Sequence, residues 1–366
     1  MMRTVLLGDI CDIKIGRTPP RKQLQWFSES HGIKWVSIKD MGNTGKYISQ
    51  TSEFLTADAI KKFNIPIIPA GTLLMSFKLT VGRLGFTEYD MCSNEAIAQL
   101  PIKDPDIVDK NYLYYYLKNF NFGSLSSTSS IATAVNSKTV KNISVNLPPL
   151  DQQKKIADIL SSLDEKIELN RRMNETLEQL GQALFRHYFV DNLEAKSWKN
   201  IHLGDIATVT TGKGSTRANL SESGKYLLYG ANGVMGRSQN YLLNEKVIIT
   251  GRVGTLGAVR AVVDKAWFSD NVIIIKPDSS MFGYVFYVVR NIDYTSLNRG
   301  STQPLITQTD LKNQRVKLPP LSILQLFESG YAVIFNQLQE NKRQVSTLTT
   351  LRDALLPKLI SGGIEV

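Results

Sequence analysis

The stretch "LPPLDQQKKIADILSSLDEKIELN", residues 147–170, is followed by "LPPLSILQLFESGYAVIFNQLQEN", residues 318–341. In each copy, Leu-Pro-Pro-Leu precedes a long run of residues that contains almost no proline or glycine. A proline pair keeps the chain extended and prevents a helix from starting early. Each copy therefore predicts a long helix with a sharp beginning.

The two helices are predicted to begin at Asp151 and Ser322, which are good N-cap residues, and to end near Val190 and Ser361. Their apolar residues alternate at spacings of three and four, the pattern of a seam between packed helices. The seam residues are Ile156, Leu160, Leu163, Ile167, Leu177 and Leu184 in the first helix, and Phe327, Tyr331, Ile334, Leu338, Val345, Leu348 and Leu355 in the second. An antiparallel pair within one chain would bury both seams.

Asn170 and Asn341 occupy equivalent positions near the middle of the two seams. A polar residue in an apolar seam lowers stability but fixes register. We therefore expect the two asparagines to face each other, or nearly so, and to hold the helix pair in register. The alternative is that the seam rotates here and both side chains are solvated. Gly330 predicts a less regular helix at residues 327–335.

The sequence before each long helix is also duplicated. The matches, all in the same order, include "LGDI" at Leu7 and Leu203, "VGRLG" at Val81 with "VGTLG" at Val253, and "YLYYYLKN" at Tyr112 with "YVFYVVRN" at Tyr284. The predicted divisions are a first lobe (1–149), a first helix (150–195), a second lobe (196–320) and a second helix (321–366). Each lobe has mixed strand and helix patterns, so the fold class is α+β, with tandem α/β lobes and an internal pseudo-two-fold repeat.

The positive charge of this 366-residue chain lies in its lobes. The formal net charge is +10, whereas residues 151–190 hold six basic and seven acidic residues and residues 322–361 hold four and three. Basic lobes favour a polyanionic partner, and nucleic acid is the first expectation. Cys11 and Cys92 are the only cysteines, and no apolar run has the length of a membrane span, so a cytoplasmic protein is expected.

The stretch from Leu147 to Val190 resembles the central conserved region of the specificity (S) subunit of type I restriction–modification enzymes. "LRDALLPKLISGGIEV", residues 351–366, resembles the C-terminal end of the same family. The resemblance implies two target-recognition domains at the ends of an antiparallel helix pair. Each domain would read one half of a bipartite DNA site, which is expected to be asymmetric because the lobes differ, and the helices would set the spacing.

The resemblance also implies partners. These are double-stranded DNA, two methyltransferase (M) subunits and restriction/translocase (R) subunits, and S-adenosylmethionine, ATP and Mg are expected on the partner subunits only. Apolar residues beside the helix seam would contact the methyltransferase subunits, because such residues on a two-helix spacer need a second surface to cover them. The candidates are Met173, Leu180, Phe185 and Tyr188.

DNA contacts are expected in the lobes, where exposed Lys and Arg reach phosphates and Arg, Asn, Gln, Ser or Thr reach base edges. The candidates are Arg17, Arg21, Lys22, Lys39, Asn43, Lys46, Lys78 and Arg83 in the first lobe, and Lys213, Arg217, Asn232, Arg237, Arg252, Arg299, Thr302 and Gln303 in the second. The alternative for each is a solvated surface residue. The repeated glycine loop beside Lys78 and Arg252 supports these two. Tyr112, Tyr114, Tyr115 and Tyr116 are predicted to be core residues of a short helix.

No catalytic or metal site is predicted in the chain itself. "TGKGST" lacks the first glycine of a phosphate-binding loop, since Ala207 takes that position. His31, His187 and His202 are scattered. Two alternatives to a non-catalytic reader of DNA remain: a structural coiled-coil adaptor that has lost DNA binding, and an enzyme that shares these lobes. The charged lobes disfavour the adaptor, and the fully assigned length disfavours the enzyme.

Overall fold

The computed structural model describes residues 2–42, 45–126, 136–214, 216–300 and 302–366. These residues form two compact units, Met1–Arg172 with Lys342–Val366, and Met173–Asn341. Each unit contains one lobe and a part of each long helix. Within the described residues, no helix combines the length and apolarity that a membrane crossing requires.

The two long helices are Leu150–Phe185, here called the central helix, and Leu321–Ile360, the C-terminal helix. Both begin one residue before the predicted N-caps, so Asp151 and Ser322 lie in the first turn. A π-helical turn, Arg186–Val190, continues the central helix. The expected irregularity near Gly330 is wrong, because the C-terminal helix is continuous there. Glycine at this position leaves room for Leu184, which a Cβ would approach to 3.1 Å.

Within each unit the two long helices run antiparallel. In the first unit, the core contains Ile156 and Leu160 of the central helix together with Leu356 and Ile360 of the C-terminal helix. In the second, Leu184 contacts Gly330, and nearer the middle of the helices Asn174 bonds Asn341. The seam prediction is confirmed at the buried positions Ile156, Leu160, Ile167, Phe327, Tyr331, Ile334 and Leu338.

The described residues of the first lobe form three sheets. Arg3–Leu6 pairs with Ser144–Leu147, so the two ends of the lobe meet where the central helix begins. A five-stranded sheet has the order Lys14–Ile15, Ile97–Leu100, Leu73–Ser76, Leu84–Thr87 and Tyr47–Ile48, and a four-stranded sheet has the order Phe27–Ser28, Glu53–Leu55, Ile33–Val36 and Cys92–Ser93. The α-helices are Leu7–Ile10, Ile38–Gly42, Ala57–Lys62, Lys110–Lys118 and Ser137–Lys141, with 3-10 turns at Leu24–Trp26 and Phe122–Ser126.

The second lobe repeats this plan. Asn200–His202 pairs with Arg315–Lys317 and closes the lobe. A four-stranded sheet has the order Ala207–Thr211, Val272–Pro277, Val247–Gly251 and Arg260–Val262, and a three-stranded sheet has the order Gly233–Ser238, Tyr226–Gly230 and Ala266–Phe268. The α-helices are Thr216–Asn219, Phe282–Arg290, Tyr294–Leu297 and Gln308–Lys312, with 3-10 turns at Leu193–Ser197, Leu203–Asp205 and Ser279–Met281.

One short aromatic helix in each lobe packs against the long helices. In the helix Lys110–Lys118, Tyr112, Tyr114 and Tyr115 are buried and Tyr116 is half-buried, which confirms their predicted place in the core. In the helix Phe282–Arg290, Tyr284 and Tyr287 belong to the same core as Phe327 of the C-terminal helix. These aromatic contacts attach each lobe to its helices.

Phe185 belongs to this aromatic core, so the expectation that it contacts a partner is wrong. Its side chain is only 5% exposed. Its ring lies 5.4 Å from that of Tyr287 and 6.2 Å from that of Phe327. The residue sits beside the seam as expected, but the surface that covers it is the chain's own second lobe.

Candidate nucleic-acid interface

The first glycine loop, residues 77–83, joins the antiparallel strands Leu73–Ser76 and Leu84–Thr87. The Ser76 hydroxyl donates to the Thr80 carbonyl at 2.5 Å and accepts from the Arg83 N–H at 3.0 Å. Gly82 has a φ of +88°, and a Cβ there would lie 2.5 Å from the ring of Phe122. Hydrogen bonds therefore close the base of the loop, and only glycine fits at position 82 of this turn.

The second glycine loop, residues 251–257, joins Val247–Gly251 to Arg260–Val262. Arg252 donates its backbone N–H to the Asn271 carbonyl at 2.9 Å and accepts from the Ile306 N–H at 3.0 Å. The Gln303 amide lies 3.3 Å from the place of a Cβ on Gly254. The structure thus brings Arg252 and Gln303, two of the predicted contacts, to one loop.

Arg252 has a further property that favours a ligand. Its Nε is buried and has no hydrogen-bond partner among the described residues. A buried donor loses its hydrogen bonds to water. This loss is uncompensated unless another group, such as a ligand, accepts a hydrogen bond from the donor. Arg252 is therefore the second-lobe candidate with the strongest structural support, although its contact with DNA remains a prediction.

Several predicted arginines already have partners within their own lobe, among them Arg17, Arg21 and Arg299. Arg17 donates to the carbonyl oxygens of Phe63 and Asn64 at 3.0 and 2.9 Å. Arg21 pairs with Glu53 at 2.7 Å, and its guanidinium lies 4.5 Å from the ring centre of Trp35. The third pair is Arg299 with Asp310. A phosphate contact by any of them would use a side chain that the lobe holds in place.

The structure does not place Lys46 on an exposed loop, as the sequence analysis expected. The side chain is half-buried, and its ammonium donates to the Ser161 hydroxyl of the central helix at 2.8 Å and lies 5.1 Å from the ring centre of Tyr115. Burial lowers the pKa of Lys46, although Asp164 and other acidic groups oppose the shift. Lys46 therefore joins the first lobe to its helix, and the expectation that it projects freely from an exposed loop is wrong.

Most other candidates lie on the surface. The exposed ones are Lys22, Lys39, Lys78, Lys213, Arg217, Asn232, Arg237, Thr302 and Gln303. Arg83 is half-buried and donates to the Ile38 carbonyl at 2.6 Å, and Arg237 donates to the Lys225 carbonyl at 3.3 Å. Asn43 lies outside the described residues. Exposure is what a DNA contact requires, but it does not separate phosphate contacts from base contacts.

An ionic cluster attaches the first lobe to both long helices. Asp164, on the central helix, accepts from Arg352 Nη1 at 2.6 Å and from the Tyr115 hydroxyl at 2.8 Å, and Lys118 lies 3.6 Å away. The side chains of Asp164 and Arg352 are only 10% and 15% exposed. Burial alone would raise the pKa of Asp164, but Lys118, Arg352 and Tyr115 outweigh it and bring this pKa below its ordinary value of 3.8.

The second lobe is attached to the C-terminal helix by a different set of contacts. Glu328 of the C-terminal helix accepts from the N–H groups of Gly283 and Tyr284 at 3.0 and 2.8 Å. The Lys246 ammonium lies 3.9 Å from the ring centre of Phe282 and 4.0 Å from that of Phe335. Burial raises the pKa of Glu328, although the two N–H groups and Lys246 oppose the shift. The two lobes are therefore attached to the long helices by different chemistry.

Asn170 and Asn341 are buried, each only 1% exposed, so the alternative that both are solvated is wrong. Asn170 donates to Gln344 Oε1 of the C-terminal helix at 3.0 Å. Asn341 donates to Asn174 Oδ1 of the central helix at 3.0 Å. Each asparagine therefore makes an interhelical bond within its own unit. Their role in fixing the register of the helices stays a prediction.

The remaining predicted partner contacts lie on the central helix and the turn that follows it. Leu180 is 52% exposed, whereas Met173 and Tyr188 are half-buried. Other large apolar residues on the long helices are also exposed, among them Leu169 and Val333. The sequence analysis did not single out these two residues. The exposed apolar residues of these helices favour a further partner.

No group of three or more His, Cys, Asp or Glu residues in the described parts of the chain is placed to hold a metal ion. Asp310, the most conspicuous acidic residue near the second-lobe loops, has a structural role. Its carboxylate accepts from the N–H and hydroxyl of Thr307 at 2.8 and 2.7 Å and pairs with Arg299. It thereby caps the helix Gln308–Lys312.

The sequence profile of the Type I restriction modification DNA specificity domain matches this chain twice, over residues 2–179 and 195–360. The chain belongs to this family. Each match covers one lobe and most of one long helix, so the specificity domain is the unit of the internal repeat. The fold and the tandem arrangement expected from the sequence are confirmed.

Individual members of the specificity-domain family resemble this chain over nearly its full length or over a shorter segment. The type I restriction enzyme MjaIX specificity subunit of Methanocaldococcus jannaschii is 28% identical, with 98% of this chain and 93% of that protein covered. The HindI specificity subunit of Haemophilus influenzae is 53% identical over 53 residues, 14% of this chain and 12% of that protein. The crystal structure of a type I restriction-modification S subunit from M. genitalium has the same fold, with a TM-score of 0.67, 17% identity and coverage of 98% and 96%.

Proposed function

We propose that this protein is the non-catalytic DNA sequence-specificity subunit of a type I restriction–modification complex. The observation that carries the proposal is the double match to the DNA specificity domain, with one match for each lobe and its helix. The positive charge of the lobes supports it, because the two long helices are nearly neutral and the net charge of the chain is +10.

Each lobe reads one half of a bipartite site, in this proposal, and the two half-sites differ. The lobes share a scaffold and a glycine loop, but the loop side chains are not the same, since the first carries Lys78 and Arg83 and the second carries Arg252. Different side chains at equivalent loops present different donors to the base edges. The long helices then set the distance between the half-sites.

The chemistry of the complex belongs to partner subunits. Two methyltransferase subunits and the restriction/translocase subunits would assemble with this chain, and S-adenosylmethionine, ATP and Mg would bind to them. Exposed apolar side chains such as Leu180 support a docking role for the helices. The compartment proposed for this assembly is the cytoplasm.

Salt dependence of DNA binding tests the proposal. The chain, assembled with methyltransferase subunits, should lose about 10³-fold in affinity between about 50 and 200 mM salt if it neutralises roughly six phosphates. Lys78→Ala should reduce the slope of log affinity against log salt by about 0.9, and Lys154→Ala, at an exposed lysine of the central helix, should leave it unchanged. A flat salt response would favour the structural adaptor instead.

Leu180→Glu should weaken association with the methyltransferase subunits by about tenfold or more, because it places a charge in a surface that must be desolvated. Sedimentation or light scattering of the mixed subunits measures the loss. Leu220→Glu is the matched control, since Leu220 is also 52% exposed but lies in the second lobe. Equal assembly of the two variants would contradict docking at this part of the helix.

A further inference from the structure

The first glycine loop presents a leucine in an unusual backbone conformation. Leu79 has a φ of +61° and is 94% exposed. Leucine disfavours this left-handed region, because its Cβ comes close to the following carbonyl oxygen. An exposed apolar side chain in such a conformation contributes nothing to the core. Core packing therefore does not explain why leucine occupies this position.

The internal repeat does not place a second exposed leucine in the other lobe. Alignment of "VGRLG" at Val81 with "VGTLG" at Val253 places Leu79 opposite Gly251. Gly251 is buried at the end of the strand Val247–Gly251 and does not have a positive φ, so the two loops differ in backbone here. The large apolar residue at the loop tip is therefore a feature of the first lobe, although a polar residue would be better solvated there.

Hydrogen bonds anchor the loop beneath this tip, and basic residues surround it. Ser76 bonds both to Thr80 and to Arg83 across the base of the loop. Arg83 also donates to the Ile38 carbonyl, which ties the loop to the helix Ile38–Gly42 and its exposed Lys39. Lys78, directly before the leucine, is exposed as well. Leu79 is thus an exposed apolar side chain on a loop that hydrogen bonds anchor and basic residues surround.

We propose that Leu79 is a wedge that enters the first DNA half-site and partly unstacks one base step. This inference rests on the proposed DNA-reading function. Leucine is among the apolar residues that separate base pairs in this way, while flanking cations hold the phosphates. The base step that unstacks most easily costs the least free energy to open. Leu79 therefore adds sequence preference at a position where no hydrogen bond is made.

The test uses the chain assembled with methyltransferase subunits and duplexes that carry its methylated site, with 2-aminopurine placed at successive positions of the first half-site. Binding by the parent chain should raise the fluorescence at one step. Leu79→Asn should abolish this rise and lower affinity about tenfold, with an unchanged salt slope. Comparing parent and variant cancels any fluorescence change caused by the methyltransferase subunits.

Folding of the variants is checked separately. Asparagine and glycine tolerate a positive φ, so Leu79→Asn and Leu79→Gly should unfold at the same temperature as the parent or higher. Ile67→Ala, which trims a half-exposed isoleucine of the same lobe, is the control for surface apolar loss and should bind and fluoresce like the parent.

Two results would overturn the wedge alone: parent-like affinity of Leu79→Asn, or reduced affinity with the fluorescence rise retained, which would mean a groove contact without unstacking. Absence of DNA binding by the parent complex would overturn the proposed function as well. The two failures are therefore distinguishable.

Discussion

Exchanging residues 200–317 for the same region of another member of the family should change one half of the methylated DNA site and leave the other half unchanged. The exchanged segment has matched ends, because Asn200 pairs with Lys317 and His202 with Arg315 in an antiparallel ladder. A segment whose ends meet in space can be replaced without moving the remainder of the chain. Methylation mapping of a host that expresses the hybrid chain measures both half-sites.

The hybrid must preserve the joint to the long helices. Tyr284 and Tyr287 share a core with Phe185 and Phe327, which lie outside the exchanged segment. A donor lobe with aromatic residues at these two positions is therefore the suitable choice, and the donor's own methylation map is the control. Simultaneous change of both half-sites would contradict independent reading by the lobes.

Arg352→Ala should lower the free energy of unfolding of the first unit by about 3 kcal/mol, since it leaves Asp164 buried without its main partner. Lys118 and the Tyr115 hydroxyl remain beside the carboxylate and keep the loss at the lower end of the usual range. Denaturant unfolding, with hydrogen exchange in the helix Lys110–Lys118, measures the effect in the unit concerned.

The control for this substitution is Arg186→Ala, which removes an exposed ion pair with Asp191 and should cost less than about 1 kcal/mol. The dependence of stability on pH in the acid range gives a second measurement. Because the folded-state pKa of Asp164 is depressed, its contribution to stability is present above pH 3.8 and is lost as the pH falls below that value. Asp164→Asn should remove this part of the acid dependence. Equal losses for Arg352→Ala and Arg186→Ala would contradict a buried ionic joint.

The sequence predicted the architecture because the features that determine it are periodic or repeated. The proline pairs, the alternating apolar residues from Ile156 to Leu184 and the duplicated glycine loops each require only comparison within the chain. The joints were not predictable in this way. Asp164 and Arg352 are 188 residues apart in sequence, and nothing local marks them as partners. Lys46 has the composition of a surface residue, and only the fold places it against Ser161.

Two further differences between the sequence-based expectations and the structure have a physical origin. Phe185 lies beside the seam in a helical projection, which suggests exposure, but the second lobe returns to cover it. Leu79 gives no sequence signal of its conformation, because positive φ is normally marked by glycine or asparagine. Single contacts to DNA also lie beyond the reach of sequence. Exposure and charge identify lysines and arginines, whereas the base that each one meets depends on a complex of both molecules.

Genome-wide methylation mapping of a host with and without this chain, in the presence of its methyltransferase subunits, would show whether the chain determines the methylated sequence. We expect one new methylated motif that depends on the chain: two unlike half-sites separated by a spacer of fixed length. A motif that is unchanged when the chain is removed, or methylation without sequence preference in its presence, would contradict the assignment of this protein as the DNA-reading subunit.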